Sequence, residues 1–257
     1  MADAQSNIEA ENLHIGTMGW SYSFWKGSFY PEESSAKEFL TYYSSQFNTV
    51  EVDSSFYRIP SLQAIKYWKK QSSENFKFSL KFPQKITHIK MLENAEEESQ
   101  VFLENVNLLG EKLGILLLQL PPMFRQQHFS MLENYLDFLP HKYRYALEVR
   151  NKSLLNKQVY DILRDHNIAL VWVDAVKMPL VSEMTADHIF VRWEGDRKAI
   201  KGVLGKTEVD RTNDIHLWAE KLKPLRDKGI QVFGYFSKYY SGYPTNDVKE
   251  LLKFLYC

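Results

Sequence analysis

The feature that most constrains the fold of this 257-residue chain is a regular alternation of short apolar segments with longer segments of helical spacing. Eight segments are rich in β-branched and aromatic residues, and several are apolar on both faces, as buried parallel strands are. They are centred near residues 15, 51, 79, 117, 146, 171, 190 and 233. Eight βα units in this length predict a single-domain α/β protein with a (β/α)8 barrel of the TIM type. An open doubly wound sheet is the alternative, although it usually needs fewer strands.

Helical spacing is present in six of the seven connections between these segments and again after the last segment. The predicted helices span residues 35–46, 62–72, 95–113, 131–139, 157–166, 215–228 and 247–256, whereas 177–187 is too short for a full helix. Three boundaries carry specific signals: Ser61 as an N-cap, Lys228-Gly229 at a helix end, and Asp247 with Glu250 as a pair resembling a capping box. No linker-like shift in composition divides the chain. We therefore expect one barrel domain over residues 13–257, preceded by a poorly ordered tail over residues 1–12.

The charge balance and the cysteine count exclude several classes of protein. With 32 Lys and Arg against 32 Asp and Glu, the net charge is zero, which argues against non-selective coating of nucleic acid or anionic membrane. The only cysteine, Cys257, excludes an intrachain disulfide and a multi-cysteine zinc site. The N-terminal segment lacks the features of a secretory signal, and no apolar run approaches the ~20 residues of a spanning helix. We therefore expect a cytoplasmic protein that is not embedded in a membrane.

In a barrel of this type, functional groups lie at the carboxyl ends of the strands and in the loops that follow. After the first strand come Trp20, Tyr22 and Trp25, whose rings can stack on a sugar or base or can pack the loop onto the barrel. Strands two to four end in further candidates. These are Glu51, Asp53, Phe56, Tyr57, Arg58, Lys81, His88 and Gln119.

Strand five places two ionisable residues, Glu148 and Arg150, on one side of an otherwise apolar strand. Burial without partners would be costly, so they form either a structural salt bridge or an acid/base group beside an anion-binding arginine. Strands six to eight end in Asp174, Arg192 and Lys238. We expect Glu51, Lys81, His88, Glu148, Arg150, Asp174 and Arg192 to converge on one cavity, with an anion pocket formed by Arg150, Arg192 and Lys238.

The loop after strand seven contains glycines and is mildly basic. Together with Lys238, its residues Lys201, Gly202, Gly205 and Lys206 form a candidate phosphate site, and a solvated loop is the alternative. The chain has no Walker or dinucleotide-binding glycine pattern, so no nucleotide cofactor is expected.

A divalent metal is possible. Glu51, Glu148 and Asp174 are carboxylates of the kind that hold Mg²⁺ or Mn²⁺. Of the seven histidines only His88 follows a strand end, so a multi-histidine zinc cluster is not expected.

Six segments occur in a recognisable order: GTMGWSYSFWKGSFYP, VEVDSSFYRIP, KFPQKITH, LLLQLPPMF, YALEVRNKS and LVWVDA. In these segments the chain resembles the YecE-like family, domain of unknown function seventy-two, over roughly residues 14–254. The resemblance implies a TIM-type barrel with a cleft at its carboxyl-terminal face, and it supplies no reaction, substrate or cofactor. The chain departs from the family pattern at Leu154, at Trp193-Glu194 and at Ser237-Lys238. The matching motif positions are Gly19, Trp20, Tyr22, Trp25, Glu51, Phe56, Tyr57, Lys81, Thr87, His88, Gln119, Glu148, Arg150, Asp174 and Arg192.

The leading hypothesis is a cytoplasmic enzyme that acts on a small anionic or polyhydroxylated substrate, such as a sugar or sugar phosphate, by isomerase or hydrolase chemistry. In this hypothesis Glu148 is a general acid/base or metal ligand, and Lys81 and His88 are electrophilic or proton-transfer groups. The expected substrate-binding residues are Trp20, Tyr22, Trp25, Glu51, Tyr57, Gln119, Arg150, Asp174, Arg192 and Lys238. Two alternatives remain: a nucleic-acid-binding or processing protein that stacks bases on the aromatic loops, and a non-catalytic small-molecule sensor.

Overall fold

The computed structural model describes residues 12–202 and 205–256, which form a parallel α/β barrel. The strands are β1 (Leu13–Thr17), β2 (Thr49–Val52), β3 (Lys77–Lys81), β4 (Leu113–Gln119), β5 (Arg144–Glu148), β6 (Ala169–Leu170), β7 (Trp172–Ala175), β8 (His188–Gly195) and β9 (Gln231–Phe236). The α-helices are α1 (Phe39–Gln46), α2 (Leu62–Gln71), α3 (Glu96–Val106), α4 (Phe129–Phe138), α5 (Lys157–Asp165), α6 (Thr212–Asp227) and α7 (Pro244–Tyr256). Most of the expected tail, residues 1–11, lies outside the described residues. Asn12 is described, and its carbonyl accepts a hydrogen bond from the Val232 N–H at 2.8 Å.

The strands pair in parallel as two sheets, in the orders β1-β9-β8-β7 and β2-β3-β4-β5-β6. The sixth strand of the barrel is divided between them, because β6 pairs with β5 and β7 pairs with β8. The other junction is a parallel bridge between Met18 and Glu51. Gly16 allows this second approach, since a Cβ there would lie 2.2 Å from the Thr49 carbonyl oxygen. The predicted α/β barrel is confirmed.

Two apolar layers hold the barrel together. Along β4, Ile115 and Leu117 contribute to a cluster inside the barrel, whereas Leu116 and Leu118 belong to the larger cluster that also contains buried residues of the helices. This alternation explains why the strand is apolar on both faces. Inside the barrel, the Tyr235 hydroxyl is hydrogen-bonded to Thr49 Oγ1 and Ser79 Oγ, both at 2.8 Å, which satisfies the polar groups there.

Several helix boundaries differ from those predicted. The helix expected over 95–113 ends at Val106, because a short 3-10 segment with Gly110 at φ 60° follows and Leu113 begins β4. The helix expected from residue 35 begins at Phe39, and before it the Glu38 carboxylate accepts hydrogen bonds from Ser35 N and Oγ at 2.8 and 2.7 Å.

Two of the three capping signals are confirmed. The Ser61 side chain accepts from Ala64 N at 3.2 Å, and Gly229 follows α6 at φ 73°. The third is wrong, because α7 begins at Pro244 and Asp247 lies inside its first turn, where its carboxylate accepts from Ser241 Oγ at 2.6 Å.

No helix in the described ranges combines the length and apolar character needed to cross a membrane.

Candidate functional site

A cavity of about 400 Å³ opens where the strands end. It is lined by Met18, Asp53, Phe56, Tyr57, Lys81, Gln119, Arg150, Arg192, Glu194, Gly195, Arg197, Ser237 and Tyr239. A larger space of about 680 Å³ lies at the opposite face, beside the starts of β4 and β5, and contains none of the predicted site residues. Because the chemistry-bearing side chains gather in the smaller cavity, we take that one as the candidate site.

Arg192 is the centre of the charged groups beneath this cavity. Its Nε and Nη2 donate to the two carboxylate oxygens of Glu51 at 3.0 and 2.8 Å. Its Nη1 donates to Glu148 Oε2 at 2.6 Å and to Glu194 Oε1 at 2.7 Å. Arg192 is only 3% exposed, and both Glu51 and Glu148 are fully buried. One guanidinium therefore holds carboxylates from β2, β5 and β8 together.

Arg150 extends this network toward solvent. Its Nη1 donates to Glu194 Oε2 at 2.8 Å, its Nη2 contacts Glu194 Oε1, and its Nε forms an ion pair with Glu148. The remaining contact of Glu148 Oε1 is Gln119 Nε2 at 2.9 Å. Every carboxylate oxygen of Glu148 and Glu194 is thus engaged by a protein donor or cation.

The pKa values of the two buried glutamates are shifted in opposite directions. Burial alone would raise the pKa of Glu148, but the charges of Arg192, Arg150 and Lys81 outweigh it and lower this pKa to about 2. Burial raises the pKa of Glu51 to about 8 against the attraction of Arg192, and the Asp53 carboxylate adds to the rise. Divergent acidities of neighbouring carboxyl groups are typical of acid/base sites. Glu148 is a fixed anion here, which favours the structural salt bridge over its predicted acid/base role.

Lys81 contrasts with the arginines. It is only 8% exposed and lines the cavity, and its Nζ lies 4.2 Å from the centroid of the Phe56 ring. Among the described residues, no acceptor lies within hydrogen-bonding or ion-pairing distance of this Nζ. Burial lowers the pKa of Lys81, and the neighbouring Arg192 charge lowers it further.

Asp53 is, after Lys81, the second charged group of the cavity without a hydrogen bond to the described residues. Its Oδ1 lies 3.8 Å from Arg192 Nη2, beyond hydrogen-bond distance, and no closer donor to it occurs in the described part of the chain. The Asp53 carboxylate helps to raise the pKa of Glu51, and it lies on the cavity side of Glu51.

Five of the seven residues expected to converge do so. Lys81, Arg150 and Arg192 line the cavity, and Glu51 and Glu148 lie directly beneath it. His88 lies next to it, on a single π-helical turn (Lys85–Ile89), with its ring 4.9 Å from that of Phe56. Its Nδ1 lies 2.8 Å from Thr87 Oγ1. Burial lowers the pKa of His88, with Lys81 and Arg150 adding to the effect.

Asp174 does not join them. Its carboxylate accepts from Trp218 Nε1 at 2.9 Å and lines a different, small cavity beside α6. The expectation that it lies in the common site is wrong, because the α6 tryptophan binds it on another side of the barrel.

The aromatic residues after β1 mainly pack the loop. Trp25 is fully buried, so it has no surface for stacking on a ligand. The Tyr22 hydroxyl donates to the Met18 carbonyl at 2.8 Å, and Trp20 packs edge-on against Trp68 at 5.7 Å. None of these three lines the cavity. Tyr57 does, and it is 75% exposed.

The residues at the ends of strands seven and eight that were predicted to bind an anion do not lie together. Lys238 lies over the rings of Tyr22 and Tyr239, at 5.1 and 5.3 Å, and does not line the cavity. In the loop after β8, the Glu208 carboxylate accepts from the N–H groups of Lys201 and Gly202 at 2.7 and 3.3 Å. A carboxylate of the chain itself thus occupies amides expected to bind phosphate.

The metal-ligand set considered from the sequence is not assembled. Arg192 binds both Glu51 and Glu148, and Asp174 lies elsewhere. No group of three His, Cys, Asp or Glu side chains within residues 12–202 and 205–256 is arranged to hold a metal ion.

Sequence reasoning missed Arg197 and Tyr239 in the cavity wall. Glu194, at one of the departures from the family pattern, was placed at the end of strand seven by the sequence, and it does line the cavity. Gly195 then turns the chain at φ 67°, and a Cβ there would lie 2.4 Å from the Tyr239 carbonyl oxygen. The glycine therefore allows the loop after β9 to close over the end of β8, which brings Tyr239 to the cavity.

Comparison with known proteins identifies relatives over the whole barrel. The profile of the family described as "protein of unknown function DUF72" matches residues 14–256. UPF0759 protein YecE of Escherichia coli strain K12 is 30% identical over 56% of this chain, a match spanning about half (51%) of YecE. UPF0759 protein YunF of Bacillus subtilis strain 168 is 28% identical over 95% of this chain and 94% of YunF.

Solved structures agree on the fold. The crystal structure of a DUF72 family protein from Thermotoga maritima superposes with a TM-score of 0.82 at 25% identity, covering 95% of this chain and 99% of that one. PbGH5A, a glycoside hydrolase family 5 enzyme from Prevotella bryantii, superposes with a TM-score of 0.53 at 9% identity, covering 98% of each chain, a likeness of fold alone. With a family profile that spans the barrel and a DUF72 structure of the same architecture, this chain belongs to the DUF72 family.

Proposed function

We propose that this protein is a cytoplasmic enzyme that isomerises a small, anionic or polyhydroxylated carbonyl compound, such as a sugar or sugar phosphate, by proton transfer in the cavity at the strand ends. The observation that carries the proposal is the pairing of Asp53 and Lys81. Both face the cavity, and neither is hydrogen-bonded to a donor or acceptor that would neutralise it among the described residues.

The roles follow from this pairing. Asp53 is the base that removes a proton from the carbon next to the substrate carbonyl, and Glu51 behind it stores and returns a proton. Lys81 stabilises the negative charge that develops on the carbonyl oxygen. Arg197 and Arg150 at the cavity wall supply donors for an anionic or hydroxylated part of the substrate.

Hydrolysis of a glycosidic bond, the other reaction considered, has weaker support. It normally requires two carboxyl groups that flank the scissile bond, one as acid and one as base or nucleophile. Of the two carboxylates that line the cavity, Glu194 has both oxygens held by Arg150 and Arg192. Only Asp53 is free to act, and one free carboxylate beside a cation suits isomerisation better.

The test is solvent-deuterium incorporation. The protein is incubated in D2O with a panel of aldoses, ketoses, their phosphates and uronic acids, and incorporation at the carbon next to the carbonyl is measured by mass spectrometry and NMR. We expect enzyme-dependent incorporation for at least one compound. Asp53→Asn should lower the rate by about 10²–10⁴-fold, the usual contribution of a general base.

Two controls make the result decisive. Asp214→Asn changes an aspartate of α6 outside the cavity and should leave the rate unchanged. A parallel panel of aryl glycosides detects hydrolysis. Release of the aryl group without deuterium incorporation would replace the isomerase proposal with the hydrolase, and the absence of both activities would reject the proposed function.

A further inference from the structure

Two lysines four residues apart have opposite surroundings. Lys85, just beyond the end of β3, is 61% exposed at its side chain and forms an ion pair with Glu98 at 2.8 Å. This hydrogen-bonded contact raises the pKa of Lys85. Lys81 is almost fully buried, and its Nζ lies 4.2 Å from the centroid of the Phe56 ring. Burial and Arg192 lower its pKa, although the nearby carboxylates of Asp53, Glu148 and Glu51 oppose this shift. The chain thus stabilises one ammonium and destabilises the other.

The difference between the two lysines bears on reactivity because Lys81 lines the candidate site. Burying a protonated amine without a protein acceptor costs free energy. The cost is avoided when a ligand supplies the acceptor or when the amine is neutral and reacts in that form. Lysines that are desolvated and adjacent to another cation are the type that attacks carbonyl groups. Arg192 supplies that neighbouring cation, and the cavity of about 400 Å³ supplies the space for a small substrate.

We propose that Lys81 is a covalent catalytic residue whose Nζ forms an imine with the carbonyl carbon of the substrate. The inference rests on the proposed function and deepens it, because it replaces an electrostatic role of Lys81 with a bond. It also narrows the substrate to an aldehyde or ketone that is open-chain when it reacts.

The step balances without a redox partner. The neutral Nζ donates its lone pair to the carbonyl carbon, the π electrons move to the oxygen, and transfer of a proton from nitrogen to oxygen gives a carbinolamine. A second proton on that oxygen lets it leave as water, while the nitrogen lone pair forms the C=N bond. One water molecule is released, and nothing is oxidised or reduced.

Asp53 and Glu51 are placed to move these protons. Asp53 shares the cavity wall with Lys81, and the raised pKa of Glu51 makes it a proton donor near neutral pH. Once the protonated imine has formed, its positive nitrogen acidifies the adjacent C–H, from which Asp53 takes the proton. Return of a proton to the same carbon with the opposite configuration gives the imine of the epimer, and its hydrolysis consumes one water molecule, releases the epimer and restores the amine.

The experiment is reductive trapping on the full chain. The protein is treated with sodium cyanoborohydride and either dihydroxyacetone or glyoxylate, and peptide mapping measures the adduct on each lysine over time. Lys85 is the internal reference in the same digest. Because the pKa of Lys81 is lowered and that of Lys85 is raised, a larger fraction of Lys81 is free amine near neutral pH, so we expect Lys81 to be labelled several-fold faster.

Variants separate the covalent role from the electrostatic one. Lys81→Arg keeps the positive charge and cannot form an imine, so deuterium incorporation should be lost although the melting temperature shows a folded protein. Lys81→Met provides a second variant without charge. Retention of more than half of the exchange rate in a folded Lys81→Arg would overturn the inference.

The outcomes also distinguish the inference from the function on which it rests. Equal, slow labelling of Lys81 and Lys85 together with normal deuterium exchange by the wild type rejects the imine and leaves the isomerase proposal standing. Fast labelling of Lys81 without exchange on any sugar supports the imine and rejects the proposed isomerisation.

Discussion

The two sides of the cavity are built on different principles. On the side of β5 and β8, Arg150 and Arg192 meet Glu148 and Glu194, and every carboxylate oxygen there is engaged. On the side of β2 and β3, neither Asp53 nor Lys81 is hydrogen-bonded in the described structure: Asp53 lies 3.8 Å from Arg192, and the Lys81 Nζ lies 4.2 Å from the centroid of the Phe56 ring. A polar cluster whose groups are all hydrogen-bonded is rigid, whereas charged groups without hydrogen bonds are available to bind a ligand or to react with it. The first side is therefore the scaffold of the site, and the second side is its reactive part.

The largest effect is expected at the centre of the scaffold. Arg192→Met leaves Glu51 and Glu148 buried without their common cation, so the free energy of unfolding should fall by about 3–5 kcal/mol. Chemical denaturation measures it. Arg197→Met is the matched control at the cavity wall, where the guanidinium lies 5.0 Å from the Tyr239 ring, and should cost less than about 1 kcal/mol. Equal losses for the two variants would remove the distinction between the sides.

Glu148→Gln should be the next most damaging change. The amide keeps the volume but loses the charge that faces Arg192 and Arg150, so we expect a loss of about 2–3 kcal/mol in unfolding free energy. If Glu148 is instead the acid or base considered from the sequence, the variant will retain its melting temperature and lose only its activity. Thermal denaturation beside the deuterium-exchange assay separates these results.

Glu51 gives the site a pH dependence. Its pKa of about 8 exceeds that of a glutamate in the unfolded chain, so the folded state retains a proton that the unfolded state releases. This contribution to stability is present at low pH and is lost as pH rises through about 8, with a slope of at most about 1.4 kcal/mol per pH unit. The stability of the wild type should fall between about pH 5 and 8 and level off above that range, whereas that of Glu51→Gln should fall less.

Asp247 must be controlled in this measurement. Burial raises its pKa to about 7, which gives the same sign in an overlapping range. The comparison is therefore made in an Asp247→Asn background. His14 has the opposite effect between about pH 4 and 6.5, because burial lowers its pKa to about 4, but it is present in both proteins and cancels in the difference between them. Identical pH profiles with and without Glu51 would show that its carboxyl group is already ionised at neutral pH.

Asp53→Asn should have the smallest effect on stability and one of the largest on activity. Its carboxylate has no close donor among the described residues, so the unfolding free energy should change by less than about 0.5 kcal/mol. Deuterium exchange should nevertheless be lost. A strong loss of stability would assign Asp53 to the scaffold.

The sequence predicts the barrel and the strand-end residues well for a physical reason. Parallel strands buried on both faces have a characteristic pattern, and their carboxyl ends meet at one face, which places Lys81, Arg150 and Arg192 together. The same reasoning cannot tell whether neighbouring charged side chains form salt bridges with one another or remain available to bind a ligand. That is why the sequence left Glu148 as either part of a structural salt bridge or an acid/base group, and only the contacts with Arg192 and Arg150 favour the first.

Long-range packing explains the other errors. Asp174 follows a strand end as expected, but its partner Trp218 is 44 residues away on α6, at a position without a distinctive signal. The Trp25 ring is enclosed by other rings of its loop, including Tyr22 and Phe29 at 4.9 and 5.7 Å. Aromatic composition cannot distinguish such a self-packed loop from a stacking platform. Arg197 and Tyr239 were missed because they lie beyond the strand ends, in loops whose paths depend on Gly195.

The most direct test of the contrast between the two sides is the unfolding free energy of Lys81→Met. Burial of an ammonium without an acceptor destabilises the empty protein, and methionine has a similar length without the charge. We predict that the variant is as stable as the wild type at pH 7 or more stable, while its activity is lost. A decrease in stability comparable to that of Glu148→Gln would show that Lys81 belongs to the scaffold and would contradict the account.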